Sequence, residues 1–371
     1  MADLAKAPHG RRMLALTLGA FAFVAVLAGL ARAGIVTPLG SAVAIHHGPL
    51  FVVGVFGTLI ALERAVALGS RWGYAVPVGG LLFVVVLTGG SRAAGVLGVL
   101  ACAGQVALNV AVLRRQPAAF TWLMVAASVS LTLGTLAWAV SRSIDSALCA
   151  WLVYFVGTIA AERLELSRLA PPSSHANSAL VVLVGAAAFT SSLVVYSPEL
   201  LTRVTGALLA GVGAWQLRHD IARRTVSLEG LPKFAAVGIL SGASWLVFGG
   251  GCLVLVGLPA AGPSRDATIH AVLVGYVLSM VLAHAPIVLP AVARVTFRYR
   301  AALFAPLALL HVTLALRIVG DLGGVASLRT WGTLGNALAL AAFVLASVWS
   351  SIVAPRTPPP APETRGSVSR T

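Results

Sequence analysis

The run Val43-Ala44-Ile45-His46-His47-Gly48-Pro49-Leu50-Phe51-Val52-Val53-Gly54-Val55-Phe56-Gly57-Thr58-Leu59-Ile60-Ala61-Leu62-Glu63-Arg64-Ala65-Val66-Ala67-Leu68 decides the class of this protein. From Val43 to Leu62 no Asp, Glu, Lys or Arg interrupts it. A bilayer core of about 30 Å takes about 20 residues of helix, so the run spans. The whole chain is built in the same way. Its 371 residues are 58% hydrophobic and only 10% charged, with a mean hydropathy of +0.95. Soluble domains carry about 25% charged residues to cover their surface. The composition excludes a soluble enzyme, a secreted disulfide scaffold and a disordered chain. Cys102, Cys149 and Cys252 sit in apolar runs with no pairing or metal-type spacing.

The expected fold is an all-α polytopic membrane helix bundle. Apolar runs bounded by charge, Pro and Gly give twelve spans, at 13–31, 43–68, 73–89, 93–113, 120–140, 146–164, 178–196, 200–217, 234–258, 267–291, 301–319 and 330–353. The first follows Arg11 and Arg12 but lacks a small-residue cleavage site with a polar exit, so it reads as a retained helix. Residues 1–354 form one transmembrane bundle, and 355–371, rich in Pro with scattered Arg and Ser, read as a disordered cytoplasmic tail.

The net charge of +15 tests the orientation. With the N-terminus inside, 19 of the 26 basic residues fall in cytoplasmic segments and 7 in outer ones. This is the positive-inside pattern, with both termini cytoplasmic. The basic residues are dispersed along one boundary, so they do not form a nucleic-acid surface.

The second span ends Gly57-Thr58-Leu59-Ile60-Ala61-Leu62-Glu63-Arg64, and the sixth ends Gly157-Thr158-Ile159-Ala160-Ala161-Glu162-Arg163. The two Glu-Arg pairs are 99 residues, or four spans, apart. Placing Gly54 on Gly275 extends the match to the tenth span and puts Glu63 on His284. The pattern is that of three four-helix repeats, with Glu63, Glu162 and His284 in one structural position. Such repeats are common in transporters.

Ionisable residues within a membrane are costly and therefore candidate functional groups. His46 and His47 lie near the outer end of the second span, and His270 near the outer end of the tenth. His284 lies 14 residues further along the same helix, about 21 Å deeper at 1.5 Å per residue. His311 is midway along the eleventh span. Neutral imidazole ligates metals and haem iron. His46, His47, His270, His311 and His284 are therefore candidate ligands, as is Met280, on the same helical face as Tyr276 and His284. The alternative is that each imidazole hydrogen-bonds a neighbouring helix. Adjacent residues on a regular helix point about 100° apart. His46 and His47 can serve one site only if their helix starts irregularly, which Gly48 and Pro49 permit.

Glu63, Glu162 and His284 are candidates for a proton or cation path; the alternative is an interfacial Glu locked to an Arg. Pro286 and Pro290 predict a kink just past His284. Arg317 and Asp321 read as an i, i+4 structural pair. Asn336 and Gln105 read as interhelical hydrogen bonds, and Gly249-Gly250-Gly251 as a close helix contact.

Two stretches resemble segments of the NnrS-like family of haem- and copper-containing bacterial membrane proteins. They are His47-Gly48-Pro49-Leu50 with Gly57-Thr58-Leu59-Ile60-Ala61-Leu62-Glu63-Arg64-Ala65-Val66-Ala67-Leu68, and His270 with His284-Ala285-Pro286-Ile287-Val288-Leu289-Pro290. The resemblance implies a multi-pass protein of the bacterial cytoplasmic (inner) membrane that binds haem and/or copper through His47, His270 and His284. It also implies a role in nitric oxide or respiratory redox metabolism, with a redox partner. The competing functions are a proton-coupled secondary transporter using Glu63, Glu162 and His284, and an assembly factor for a respiratory complex.

The charge pattern makes a direct prediction. A reporter that fluoresces only in the cytoplasm should be bright when fused after Arg115 or Arg168 and dark after Arg142 or Arg265. The opposite pattern would reverse the orientation.

Overall fold

The computed structural model describes residues 8–38, 42–169, 173–259, 261–293 and 295–352. The proposed tail, 355–371, lies outside these. Among the described residues there are helices and no strands. The long helices follow the expected spans one by one. They are α1 (Pro8–Arg32), α2 (Ala44–Leu68), α3 (Arg71–Thr88), α4 (Ala93–Arg115), α5 (Ala119–Ser141) and α6 (Asp145–Leu166). Then come α7 (Ser174–Ser192), α8 (Pro198–His219) and α9 (Leu231–Val256). The last are α10, made of Pro263–His270, Ala271–Leu278 and Ser279–Ala293, α11 (Phe304–Leu322) and α12 (Ala326–Ile352). Eleven are long and apolar enough to cross a membrane. The exception, α8, carries Glu199, Arg203, Arg218 and His219.

The short connections make sequential helices neighbours, so α5 packs on α6, α8 on α9 and α11 on α12. The centre is formed by helices four apart in the chain. The most apolar window of α6 is 94% buried, against 17% for that of α1. Phe56 of α2 meets Phe155 of α6 edge to face at 5.7 Å. His47 of α2 reaches His270 of α10, and Arg163 of α6 reaches His284 of α10. The other helices turn residues such as Phe23, Leu100, Trp122, Phe189, Leu255 and Leu345 outwards. In water such a surface would aggregate; in lipid it is the required exterior.

Two further observations support the repeat. Both α2 and α10 contain an eight-residue π-helical stretch, Leu50–Gly57 and Ala271–Leu278. Placing Gly54 on Gly275 superposes these stretches residue on residue. Gln105 of α4 donates to Tyr154 Oη of α6 at 2.7 Å, and Gln216 of α8 donates to Tyr276 Oη of α10 at 2.8 Å. The second bond is the first one repeated four helices later.

Small residues set the closest approach. A Cβ on Gly250 would lie 2.7 Å from Ala210 N and from Gly206 O of α8, whereas one on Gly251 would meet nothing within 4 Å. The expected glycine contact is thus made by Gly249 and Gly250 but not by Gly251, which faces away. Gly250→Val should lower the thermal midpoint of the detergent-solubilised protein, and Gly251→Val should leave it unchanged. Equal effects would remove the close contact from the fold.

Candidate functional site

The start of α2 is wound three ways. Ala44–His46 is 3-10, His47–Pro49 is α, and Leu50–Gly57 is π. This irregular start lets His46 and His47 line the same cavity. In α10 the π stretch begins directly after His270. π-helical insertions are rare and concentrate at functional sites.

The cavity measures about 910 Å³ and opens at the histidine end of the bundle, between α1, α2, α5, α6, α10, α11 and α12. Its wall is aromatic and aliphatic, with Phe51, Phe56, Trp138, Trp151, Phe155 and Leu340. Its ionisable groups are His46, His47 and His270, the carboxylates Asp145 and Asp266, and five arginines, Arg32, Arg92, Arg142, Arg265 and Arg317. Arg265 pairs with Asp145. Arg317 donates through Nε (3.0 Å) and Nη2 (2.6 Å) to Asp266 Oδ2. Arg142 donates to Arg92 O at 3.1 Å. Among the described residues no carboxylate pairs with Arg32, Arg92 or Arg142, so the cavity carries an excess of positive charge.

The His47 and His270 rings lie with centroids 6.3 Å apart and planes 17° apart. His47 Nδ1 donates to Ala25 O of α1 at 3.2 Å. His270 Nδ1 donates to Asp266 O at 2.8 Å and lies 3.2 Å from Asp266 Oδ1. A carbonyl at Nδ1 fixes the tautomer and leaves Nε2 as the basic nitrogen of each ring. Metal-binding histidines are oriented in this way. His47 Nε2 has no hydrogen-bond partner among the described residues. His270 Nε2 lies 3.3 Å from Arg317 Nη2. Gly29 makes room for His47, since a Cβ there would lie 2.5 Å from His47 Cε1.

His311 does not join them. Trp245 Nε1 donates to its Nδ1 at 3.0 Å, and its Nε2 bonds Ser241 Oγ at 2.9 Å. It ties α11 to α9 and does not line the cavity. His284 is also engaged: Nδ1 donates to Met280 O at 2.7 Å, and Nε2 accepts from Arg163 Nη1 at 3.2 Å. Met280 therefore meets His284 through its backbone carbonyl, with its side chain buried in the core. Among the described residues no three His, Cys, Asp or Glu are grouped to hold a metal ion.

A second polar layer lies at the other end of the central helices. Arg64 of α2 pairs with Glu162 of α6. Arg163 donates to both oxygens of Asp220, Nε to Oδ2 at 2.7 Å and Nη2 to Oδ1 at 2.8 Å, with both side chains almost fully buried. The structure thus brings Glu162 and His284 into one layer with Arg64 and Arg163. Glu63 lies on α2 beside them, without a hydrogen bond or ion pair among the described residues.

Sequence reading did not find Asp145, Asp220, Arg265 or Asp266. The one local signal is Asp266, four residues before His270. The expected Arg317–Asp321 pair does not form, because Arg317 turns to Asp266 on the neighbouring helix. Asp321 instead faces Arg329 Nε at 4.0 Å, with neither carboxylate oxygen hydrogen-bonded. Gln105 and Asn336 do make the expected interhelical bonds, Asn336 to Leu310 O and Thr313 Oγ1.

This fold, an enclosed helical core in a lipid-facing apolar shell with two buried polar layers, defines a polytopic integral membrane protein. The chain belongs to the family described as domain of unknown function DUF8744, whose model matches residues 11–352. No curated protein matches the chain.

The Arg163–Asp220 pair makes a prediction. Removing one partner leaves a buried charge uncompensated, at a cost of about 3 kcal/mol or more. Asp220→Ala should lower the stability by about that amount in unfolding of the detergent-solubilised protein, while Glu199→Ala, at an exposed surface pair, should change it by under about 1 kcal/mol.

Proposed function

We propose that this protein is a haem-binding integral membrane protein of redox metabolism, in which His47 and His270 would hold the haem iron. The observation that carries the reading is the spacing of these rings. Two imidazoles that bind one metal at about 2.0 Å each would have their ring centres within about 6 Å of each other. His47 and His270 stand at 6.3 Å with nearly parallel planes. Both rings have Nδ1 held by a carbonyl and Nε2 left as the basic nitrogen.

The cavity supports the same reading. Its volume of 910 Å³ and aromatic wall suit a large planar apolar group. Arg32, Arg92 and Arg142, which have no carboxylate partner among the described residues, would offer cations to anionic substituents on such a group. On binding, Arg317 would give up His270 Nε2 and keep its two bonds to Asp266. Asp266 would then hold both the ligand ring and the arginine. Copper gains less support, since among the described residues no three His, Cys, Asp or Glu, His46 included, are grouped to hold a metal ion. Haem held there would supply one-electron transfer. The resemblance to NnrS-like proteins adds nitric oxide or respiratory metabolism as the setting. The transporter reading rests on Glu63, Glu162 and His284. Two of these are tied to arginines, which favours a structural layer over an open path.

The test is the visible spectrum of protein produced in haem-replete bacteria and purified in detergent. A Soret band is expected. It should be lost in His47→Ala and His270→Ala, shifted or weakened in Gly29→Val, and kept in His311→Ala. A wild-type protein that takes up no haem, or a band indifferent to His47 and His270, overturns the reading.

A further inference from the structure

The polar layer at the other end of the bundle follows a rule. The repeat places Glu63-Arg64, Glu162-Arg163 and His284-Ala285 in equivalent positions. The arginine of each unit reaches the acidic position of the next. Arg64 donates to Glu162, and Arg163 donates to His284 Nε2 at 3.2 Å. The next step around the ring runs from position 285 to Glu63. There the third unit carries Ala285, which has no donor to give.

The packing brings the two ends of that missing link together. Val288, one turn beyond Ala285, packs with Leu62 and Ala65, which flank Glu63 and Arg64. The charged and titratable groups on the surrounding elements are few. Arg64 is on the same helix and is committed to Glu162. α6 contributes Glu162, Glu165 and Arg163, the last held by Asp220. α10 contributes His284, held by Arg163. α1 and α3 pack alongside through Leu14 and Tyr74 and carry Arg12 and Arg71. Glu63, Glu162 and Glu165 thus all lie near one guanidinium, and that guanidinium is hydrogen-bonded to Glu162.

We propose that Glu63 is the proton-exchanging group of this layer. An unpaired carboxylate at an apolar helix interface is costly, and taking up a proton removes the cost. The carboxylate accepts one proton from water at this end of the bundle to become the neutral acid, and returns it in the reverse step. Glu162 and His284 occupy equivalent positions but each accepts a hydrogen bond from an arginine. The absent arginine in the third unit is the device that separates Glu63 from its two counterparts. The inference rests on the ring of arginines and is independent of the haem reading.

Infrared difference spectroscopy of the full-length protein in proteoliposomes tests it. At neutral pH, wild type minus Glu63→Gln should contain the carbonyl band of a protonated carboxyl, shifted in heavy water. Wild type minus Glu162→Gln should lack that band. Glu63→Asp should move the band without removing it, which keeps the test valid if the Gln variant folds poorly. Ala285→Arg, which supplies the missing donor, should convert the group to its ionised form at the same pH, with loss of the band. A band unmoved by both Glu63 substitutions overturns the proposal, as does a band that disappears only in Glu162→Gln.

Discussion

A guanidinium buried in an apolar bundle must be shared out completely, and the packing of Arg163 shows how far that requirement reaches. Its donors go to Asp220, beyond the end of α8, and to His284 on α10. One side chain of α6 thereby fixes two other helices. Each partner is satisfied in turn: Asp220 also accepts from the backbone of Ala222, and His284 donates to Met280 O. In hydrocarbon there is no water to complete an unfinished set of donors, so those of Arg163 are met by side chains of the bundle. Once α6 is tied in this way, α2 and α10 are left to meet across the rest of the core.

That meeting creates the histidine cavity. The π stretches of α2 and α10 change the phase of each helix just past its histidine. Nearby, Gly29 removes the side chain that would have pushed His47 aside. Asp266 anchors the His270 ring on one side and Arg317 on the other. The two ends of the central helices therefore do different work. One is closed by ion pairs; the other leaves a chamber with basic ring nitrogens and excess positive charge.

The repeat links the two ends. It superposes the π stretches, the Gln–Tyr bonds and the polar layer, yet the units are not chemically equal. His284 and Ala285 replace a Glu-Arg pair, and the Gln–Tyr bond observed in the second and third units has Val55 at its equivalent in α2. Differences between copies of one unit are where such a fold acquires distinct groups without altering the packing.

The helical membrane class, the positions of the spans and the pairing of Glu63 with Glu162 as repeat positions were all legible in the chain, because hydropathy and local spacing are one-dimensional properties. So was the need for an irregular helix start if His46 and His47 were to face one site. The partners were not legible. Arg317 has Asp321 four residues away, and spacing alone pairs them. The tertiary structure gives Arg317 to Asp266, 51 residues earlier. Asp220 reads as a loop residue and is a buried partner of Arg163. His47 and His270 are 223 residues apart in the chain, and no local pattern records that their rings stand 6.3 Å from each other. The sequence determined what must be buried in lipid. Only the helix packing decided which buried polar groups face one another, since in an apolar medium a donor or acceptor can be satisfied only by a group that packing brings within reach.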